Sequence, residues 1–278
     1  MEDHALAKAF PRLGRAIIRI VILKNNRPIA AGTGYVLGGL RKTHRAVVAT
    51  AAHVLPFEDG RLLPNHHIRL EKYDADMTMF RCVTFATDPH TDPLGCHIVY
   101  DKAPGADVAM VIAPRYADAG DDFLDDADLQ ITPVLDRAVP APATRIAWAG
   151  YPSLLMSHEL FGKPHLCYYE GVVSSWVQHQ GRGYVVVDGH AMPGVSGGPM
   201  WFFNDYARTV QVAGVVSLYA GYSTPEHFRP NFSDDRANQR RDRMPGFVFV
   251  QPIVDLVEHA LQLGKTVTET SRPKMPPS

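Results

Sequence analysis

Twelve short β-rich runs set the class of this fold. They cover residues 16–23, 29–38, 45–50, 66–72, 79–86 and 107–113, then 144–149, 166–176, 183–187, 199–203, 210–219 and 246–250. Valine, isoleucine and aromatic residues recur in them, and glycine, proline, asparagine and aspartate punctuate them. Almost no helical period precedes residue 196. One follows Pro252, where Ile253, Val257, Ala260 and Leu261 recur on one face until Gly264 ends it. The pattern predicts an all-β chain in two halves of roughly 100 residues each. The halves span 15–115 and 139–250. An acidic linker (116–138) with six aspartates between 118 and 128 separates them. A helix (251–264) and a flexible tail (265–278) rich in proline, threonine and serine follow.

Composition excludes several function classes. The 278 residues carry 28 Lys+Arg and 29 Asp+Glu, a net charge of −1, so no global basic field invites nucleic acid. No apolar run reaches the roughly 18 residues that span a bilayer. The most apolar stretch, Ala16 to Leu23, carries Arg19 in its middle. Cys82, Cys96 and Cys167 are too few for a disulfide scaffold and form no CxxC pair. A Cys82–Cys96 bridge would need an oxidising compartment and suitable geometry. The start, Met1-Glu2-Asp3-His4, is acidic and no signal-like apolar segment follows. The expectation is a protein of a reducing cytoplasm, off the membrane. No cofactor and no metal are expected: HExxH is absent and His66-His67 lacks ligand spacing. The aspartates of 118–128 lack the spacing of a calcium loop.

The strongest chemical signal is Pro193-Gly194-Val195-Ser196-Gly197-Gly198-Pro199. A serine between glycines, with a strand directly after it, suits a nucleophile on an exposed tight turn. Gly194 lacks a Cβ, so its N–H can turn toward a substrate carbonyl. The amides of Gly194 and Ser196 would form an oxyanion hole, where one donor is typically worth about 3 kcal/mol of barrier. A hydroxyl needs a base, and His53 sits in the small-residue segment Val48-Ala49-Thr50-Ala51-Ala52-His53-Val54. An imidazole needs an orienting partner, and Asp107 opens the apolar run Asp107 to Ala113. Singly, these residues could be a turn serine, a core histidine and a capped aspartate. Together they follow the chain order His, Asp, Ser of the double-barrel serine proteases.

The chain resembles the trypsin/chymotrypsin-fold serine proteases, nearest to the bacterial, disulfide-free HtrA-like branch. The resemblance rests on Gly32-Thr33-Gly34-Tyr35-Val36, Thr50-Ala51-Ala52-His53, Asp107-Val108-Ala109, Gly194 to Pro199, Ala213-Gly214-Val215-Val216-Ser217 and Gln251-Pro252-Ile253, over residues 15–264. It implies two six-stranded antiparallel Greek-key barrels with the active site in the cleft between them. His53 and Asp107 come from the first barrel and Ser196 from the second. Ser217 would hydrogen-bond near Asp107 and form part of the substrate-binding strand. The implied specificity pocket is walled by His190, Ala191, Met192, Val216, Ser217, Leu218 and Tyr219. Nothing there is acidic, so Arg or Lys is not the expected residue at the cleaved bond. A shallow pocket for small or aliphatic side chains is expected, with an acidic preference through His190 as the second option.

Departures from the family pattern matter. Val195 stands where the digestive enzymes carry an aspartate that pairs with a new N-terminus, so activation by propeptide removal is not expected. The stretch after Gly264 is too short for the PDZ domain of many HtrA proteins. Residues 221–245, with five arginines and three aspartates, form a longer loop than usual beside the pocket. It reads first as a surface loop. It could also gate the cleft or bind an acidic regulatory protein partner.

The expected function is a regulated intracellular serine endopeptidase acting on polypeptide substrates. One alternative is a trypsin-fold binding module, non-catalytic or activated by a partner. The other is an esterase of the α/β-hydrolase type. Gly194-Val195-Ser196-Gly197-Gly198 fits the G-x-S-x-G elbow of that fold, and His227 and His259 follow it. That fold, however, needs helices between the strands before Ser196.

Overall fold

The computed structural model describes residues 5–37, 45–58, 61–73, 80–86, 96–102, 105–114, 139–152, 164–179, 182–189, 191–217 and 247–252. The linker 116–138, the loop 221–245 and the tail 265–278 of the sequence prediction lie outside them, as does most of the C-terminal helix.

The first half is one curled antiparallel sheet of seven strands. In chain order these are β1 (Ile17–Lys24), β2 (Arg27–Leu37), β3 (Arg45–Thr50), β6 (His66–Tyr73), β7 (Phe80–Ala86), β8 (His97–Tyr100) and β9 (Ala109–Pro114), paired as β7-β6-β1-β2-β3-β9-β8. A two-stranded ribbon of β4 (Phe57–Glu58) and β5 (Arg61–Leu62) stands apart. Asn25 and Asn26 make the β1–β2 turn with φ of 51° and 61°. This is the left-handed pair that a two-residue hairpin needs, and asparagine tolerates it. The sheet has seven strands rather than the expected six. The extra strand, β8, covers only four residues and pairs with β9 alone, so its pattern is too short to stand out.

The second half is a closed antiparallel barrel. Its strands are β10 (Arg145–Gly150), β11 (Cys167–His179), β12 (Arg182–Asp188), β13 (Pro199–Asn204), β14 (Thr209–Ser217) and β15 (Phe247–Pro252), closed in the order β10-β11-β12-β15-β14-β13. Gln251 and Pro252 correct the sequence reading: they are not the start of a helix. They end β15, where Pro252 lies opposite Gly214. A proline needs no ladder donor at a strand terminus.

Three apolar clusters hold these parts. One lies inside the first sheet, around Ile20, Val48, Ile68, Leu70 and Phe85. A second fills the barrel, around Trp148, Val185, Val195, Met200 and Val250. The third joins both halves, with Ile17, Tyr35 and Met110 of the sheet meeting Ala147, Tyr151, Trp201 and Val215 of the barrel. A helix, α1 (Ala5–Ala16), is built into this third cluster through buried Leu6, Leu13 and Ala16. Phe10 stacks on Trp201 at 6.4 Å. The sequence did not predict α1, because Pro11 and Gly14 are both helix-breaking signals. Burial of its apolar face overrides them.

Arg19, the charge inside the most apolar run, is explained by its partner. It is 8% exposed, and its Nη1 donates to Glu71 Oε2 at 2.6 Å on the neighbouring strand β6. Arg69 Nε holds the other oxygen of Glu71 at 2.7 Å. All three cysteines are thiols, with no disulfide among them. Among the described residues no helix is long and apolar enough to cross a membrane.

Candidate active site

Strand β3 ends at Thr50 and the chain tightens into a single 3-10 turn, Ala52–Val54, which carries His53. The turn is tied across the sheet by the Ala52 N–H, which donates to the Asp107 carbonyl at 3.2 Å. Asp107 lies in the segment just before β9 and is 9% exposed. Its carboxylate is fully engaged. The His53 backbone N–H donates to Oδ1 at 2.9 Å. The His53 Nδ1 lies 2.8 Å from Oδ2 and 3.0 Å from Oδ1. The Ser217 hydroxyl, at the end of β14 and fully buried, donates to Oδ2. Ser217 thus reaches across from the barrel to a carboxylate of the sheet. The Tyr184 hydroxyl on β12 makes a second crossing, to the Gly105 carbonyl two residues before Asp107. The His53 side chain is 26% exposed.

The turn from Met192 to Pro199 carries Ser196, which is 5% exposed. Its backbone donors can be followed one by one. Pro193 and Pro199 have no N–H. Val195 N–H donates to Met192 O at 3.1 Å, Gly197 N–H to Val216 O at 2.7 Å and Gly198 N–H to Val195 O at 3.0 Å. The N–H groups of exposed Met192 and of buried Gly194 and Ser196 donate to nothing among the described residues. Buried N–H groups are nearly always paired, and leaving one unpaired costs about 1–3 kcal/mol. Two in one turn form a pair of donors with spare capacity for an anion.

The turn is pressed against the strand that leads to His53. Gly197 has φ of +88°, and a Cβ there would lie 2.1 Å from the Thr33 carbonyl oxygen, 2.2 Å from Thr50 Oγ1 and 2.8 Å from Ala51 N. Only glycine fits. Ser196 and His53 are therefore carried by segments in direct contact. Val195 points the other way, into the barrel core, and is 0% exposed.

Thr33 was not singled out for a role in the sequence, yet it is central here. It sits on β2 and is fully buried. Its hydroxyl donates to the Gly194 carbonyl at 2.7 Å and accepts the Tyr151 N–H at 2.9 Å. The only local signal was a hydroxyl residue between two glycines in a strand.

Of the expected pocket residues, Ala191 packs against the barrel core and Met192 is 40% exposed. Val216 is fully buried beside Ser217. His190, Leu218 and Tyr219 lie outside the described residues. No group of three His, Cys, Asp or Glu side chains that could hold a metal ion occurs among the described residues.

The trypsin-like peptidase domain family matches residues 32–209 of this chain. The chain belongs to the trypsin-like peptidase family. Solved structures agree on the fold. A thermostable serine protease, AL20, from an extremophilic microorganism superposes with a TM-score of 0.54 at 14% identity, covering 92% of this chain and 99% of that one. Human heparin binding protein superposes with a TM-score of 0.51 at 16% identity, covering 96% of each chain. At such identities the likeness is one of fold. No curated protein matches by sequence. The match is to the family as a whole, and the HtrA-like branch remains an expectation from sequence motifs.

Proposed function

We propose that this peptidase-family chain is a serine endopeptidase working through an acyl-enzyme, with Ser196 as nucleophile. The observation that carries the reading is the pair of buried amides at Gly194 and Ser196 that donate to nothing among the described residues, while the N–H groups of Val195, Gly197 and Gly198 around them are used. An acyl transfer site needs such donors where negative charge develops on the carbonyl oxygen.

In this mechanism Ser196 Oγ attacks a peptide carbonyl while His53 Nε2 accepts the serine proton. The tetrahedral oxyanion is held by the amides of Gly194 and Ser196. His53 then protonates the leaving amine, and water hydrolyses the acyl-enzyme by the same route in reverse. Asp107 keeps the proton of His53 on Nδ1 and stabilises the imidazolium. Its contacts with His53 and Ser217 support that role.

The test is paired. Wild type should label with a fluorophosphonate probe and cleave an unstructured polypeptide. Ser196→Ala should not label, and its turnover should fall on the order of 10⁶-fold, as for a nucleophile acting within a triad. Cleavage by Ser196→Ala at the wild-type rate refutes the assignment. The pocket reading adds that a peptide-library profile shows small, aliphatic or acidic residues before the cut bond, and a profile dominated by Arg or Lys refutes it. A reducing compartment fits Cys82, an exposed thiol that oxidising surroundings would consume.

A further inference from the structure

We propose that the indole N–H of Trp148 is a specificity donor of the substrate pocket: it selects a short side chain with a neutral hydrogen-bond acceptor, threonine or asparagine, just before the cut bond. This rests on the serine-nucleophile reading above and names the substrate class of that site.

Trp148 lies on β10 and is 0% exposed. Its Nε1 has no hydrogen-bond partner among the described residues. The other two tryptophans of the chain are satisfied. Trp176 Nε1 donates to the Pro140 carbonyl at 3.1 Å, and Trp201 Nε1 donates to the Leu6 carbonyl at 3.4 Å. His67 Nδ1 is the other buried side-chain atom without a partner among the described residues. A neutral histidine can carry its proton on the opposite nitrogen, whereas an indole nitrogen always bears a hydrogen and can only donate. A buried donor left unmatched is costly, so one retained in a core points to an acceptor that arrives from outside.

The setting of the ring shows where that acceptor comes from. The indole stacks on Tyr169, at 5.9 Å between centroids and 7° between planes. Its outer edge lies against two glycines. A Cβ on Gly171 would meet Cη2 at 3.0 Å, and one on Gly189 would meet Cη2 at 2.4 Å and Cζ2 at 3.1 Å. Cζ2 and Nε1 are bonded to the same ring atom, Cε2, so the N–H side of the indole is the side turned to Gly189. Gly189 directly precedes His190, the first expected residue of the pocket wall. Ala191 of that wall, Val216 of the opposite wall and Val195, next to the nucleophile, pack in the same apolar cluster as Trp148. The donor therefore belongs to the cluster that carries both walls and the nucleophile turn. The described residues of this cluster are all uncharged. A carboxylate brought here would exchange its hydration for one neutral donor, which leaves most of its desolvation uncompensated. A hydroxyl or an amide carbonyl has far less hydration to lose, and one bond matches it. An aliphatic side chain of the same size fills the space and leaves the N–H unmatched, so it is the side chain rejected.

The experiment uses peptide substrates that differ only in the residue before the cut bond: threonine against its isostere valine, and asparagine against leucine and aspartate, which are close to it in shape. The value of kcat/KM per fluorophosphonate-labelled site is measured for full-length wild type and Trp148→Phe, both checked by circular dichroism and thermal melting. Phenylalanine keeps an aromatic ring and removes the N–H. Wild type should favour threonine over valine and asparagine over leucine, each by about tenfold to a hundredfold, and Trp148→Phe should bring both ratios to within about threefold of unity. A second readout needs no turnover. In full-length Ser196→Ala the indole N–H signals are followed by nitrogen–proton NMR while a peptide is added to saturation. They are assigned with Trp176→Phe and with whichever of Trp148→Phe and Trp201→Phe folds. The Trp148 signal should move further downfield with the threonine peptide than with the valine peptide. Wild type that cuts valine as fast as threonine and leucine as fast as asparagine overturns the proposal. So does a preference for aspartate over asparagine, a pair of ratios that survives in Trp148→Phe, or an equal indole shift with the two peptides. Labelling that persists in Ser196→Ala overturns the nucleophile reading itself, and the indole shifts do not depend on that outcome.

Discussion

Val195 offers the sharpest test of how the nucleophile turn is anchored. It directly precedes Ser196, is 0% exposed, and packs with Ile146, Trp148, Val173, Val185, Met200 and Val216 in the barrel core. Family members that activate by pairing a new N-terminus carry an aspartate here. In this chain the anchor is hydrocarbon. Val195→Ala removes two methyl groups, about 1.6 kcal/mol of transfer energy at ~0.8 kcal/mol each, and the residual cavity raises the total to roughly 2–3 kcal/mol. For a domain of this size that lowers Tm by roughly 5–10 °C. Val195→Asp loses about 1.5–3 kcal/mol of apolar burial and adds roughly 2–7 kcal/mol for a buried carboxyl without a partner. That sum rivals a total stability of about 5–15 kcal/mol, so the turn must leave the core or the barrel must unfold. Either way the two free amides lose their setting.

The assay is thermal melting alongside fluorophosphonate labelling at neutral pH. Val195→Ala should melt lower and still label to completion below its Tm. Val195→Asp should not label at any temperature. An aspartate variant that melts within 2 °C of wild type, on the order of the assay's own scatter, and labels at full rate would refute the argument. It would mean that a cationic partner reaches this site.

Three further outcomes follow from the same contacts. Gly197→Ala forces a Cβ onto the Thr33 carbonyl oxygen and should cost more than about 3 kcal/mol, so a variant with wild-type Tm and turnover contradicts the geometry. Arg19→Met strips one of two arginines from Glu71, which is 1% exposed, and should cost about 3–5 kcal/mol in urea unfolding; the double variant Arg19→Met, Glu71→Leu should recover part of it, and equal loss in both would be the contrary result. Tyr73 is pushed up to about 12, by burial first and then by the negative charge of Glu71. The folded protein therefore holds the phenol proton that the unfolded chain loses near pH ~10. Stability should be level to about pH 9.5 and fall from about 10 to 12, with a shallower fall in Tyr73→Phe; identical urea midpoints in both proteins across that range would exclude a contribution from Tyr73.

The strands were legible because their cause is local. β1 is buried along all but its last residue, and its run of isoleucine and valine says so. The Asn25-Asn26 turn is likewise written in two adjacent residues. His53, Asp107 and Ser196 could be picked out because small residues or an apolar strand surround each, and their order along the chain is informative. What stayed hidden depends on partners far away in sequence. α1 contains Pro11, and its apolar face packs on residues far along the chain, among them Trp201, whose indole N–H donates to the Leu6 carbonyl at 3.4 Å. Arg19 looked like an interruption of a core strand until Glu71 was seen on the next one. The Thr33 hydroxyl reaches residues 118 and 161 positions away. No window along the chain can reveal a bond of that span.

Among the described residues the anchors of the nucleophile turn share one chemical property: none of them carries a charge. They are a hydroxyl on Thr33, a valine side chain in the core and backbone bonds from Gly197 and Gly198. An ion pair in that place would tie the shape of the turn to pH and salt. Neutral anchors do not titrate near neutrality and are hardly screened. The turn should therefore keep one geometry over a broad range of pH and salt. The exposed side of the turn is at Met192, whose carbonyl holds the Val195 N–H, again a bond without charge.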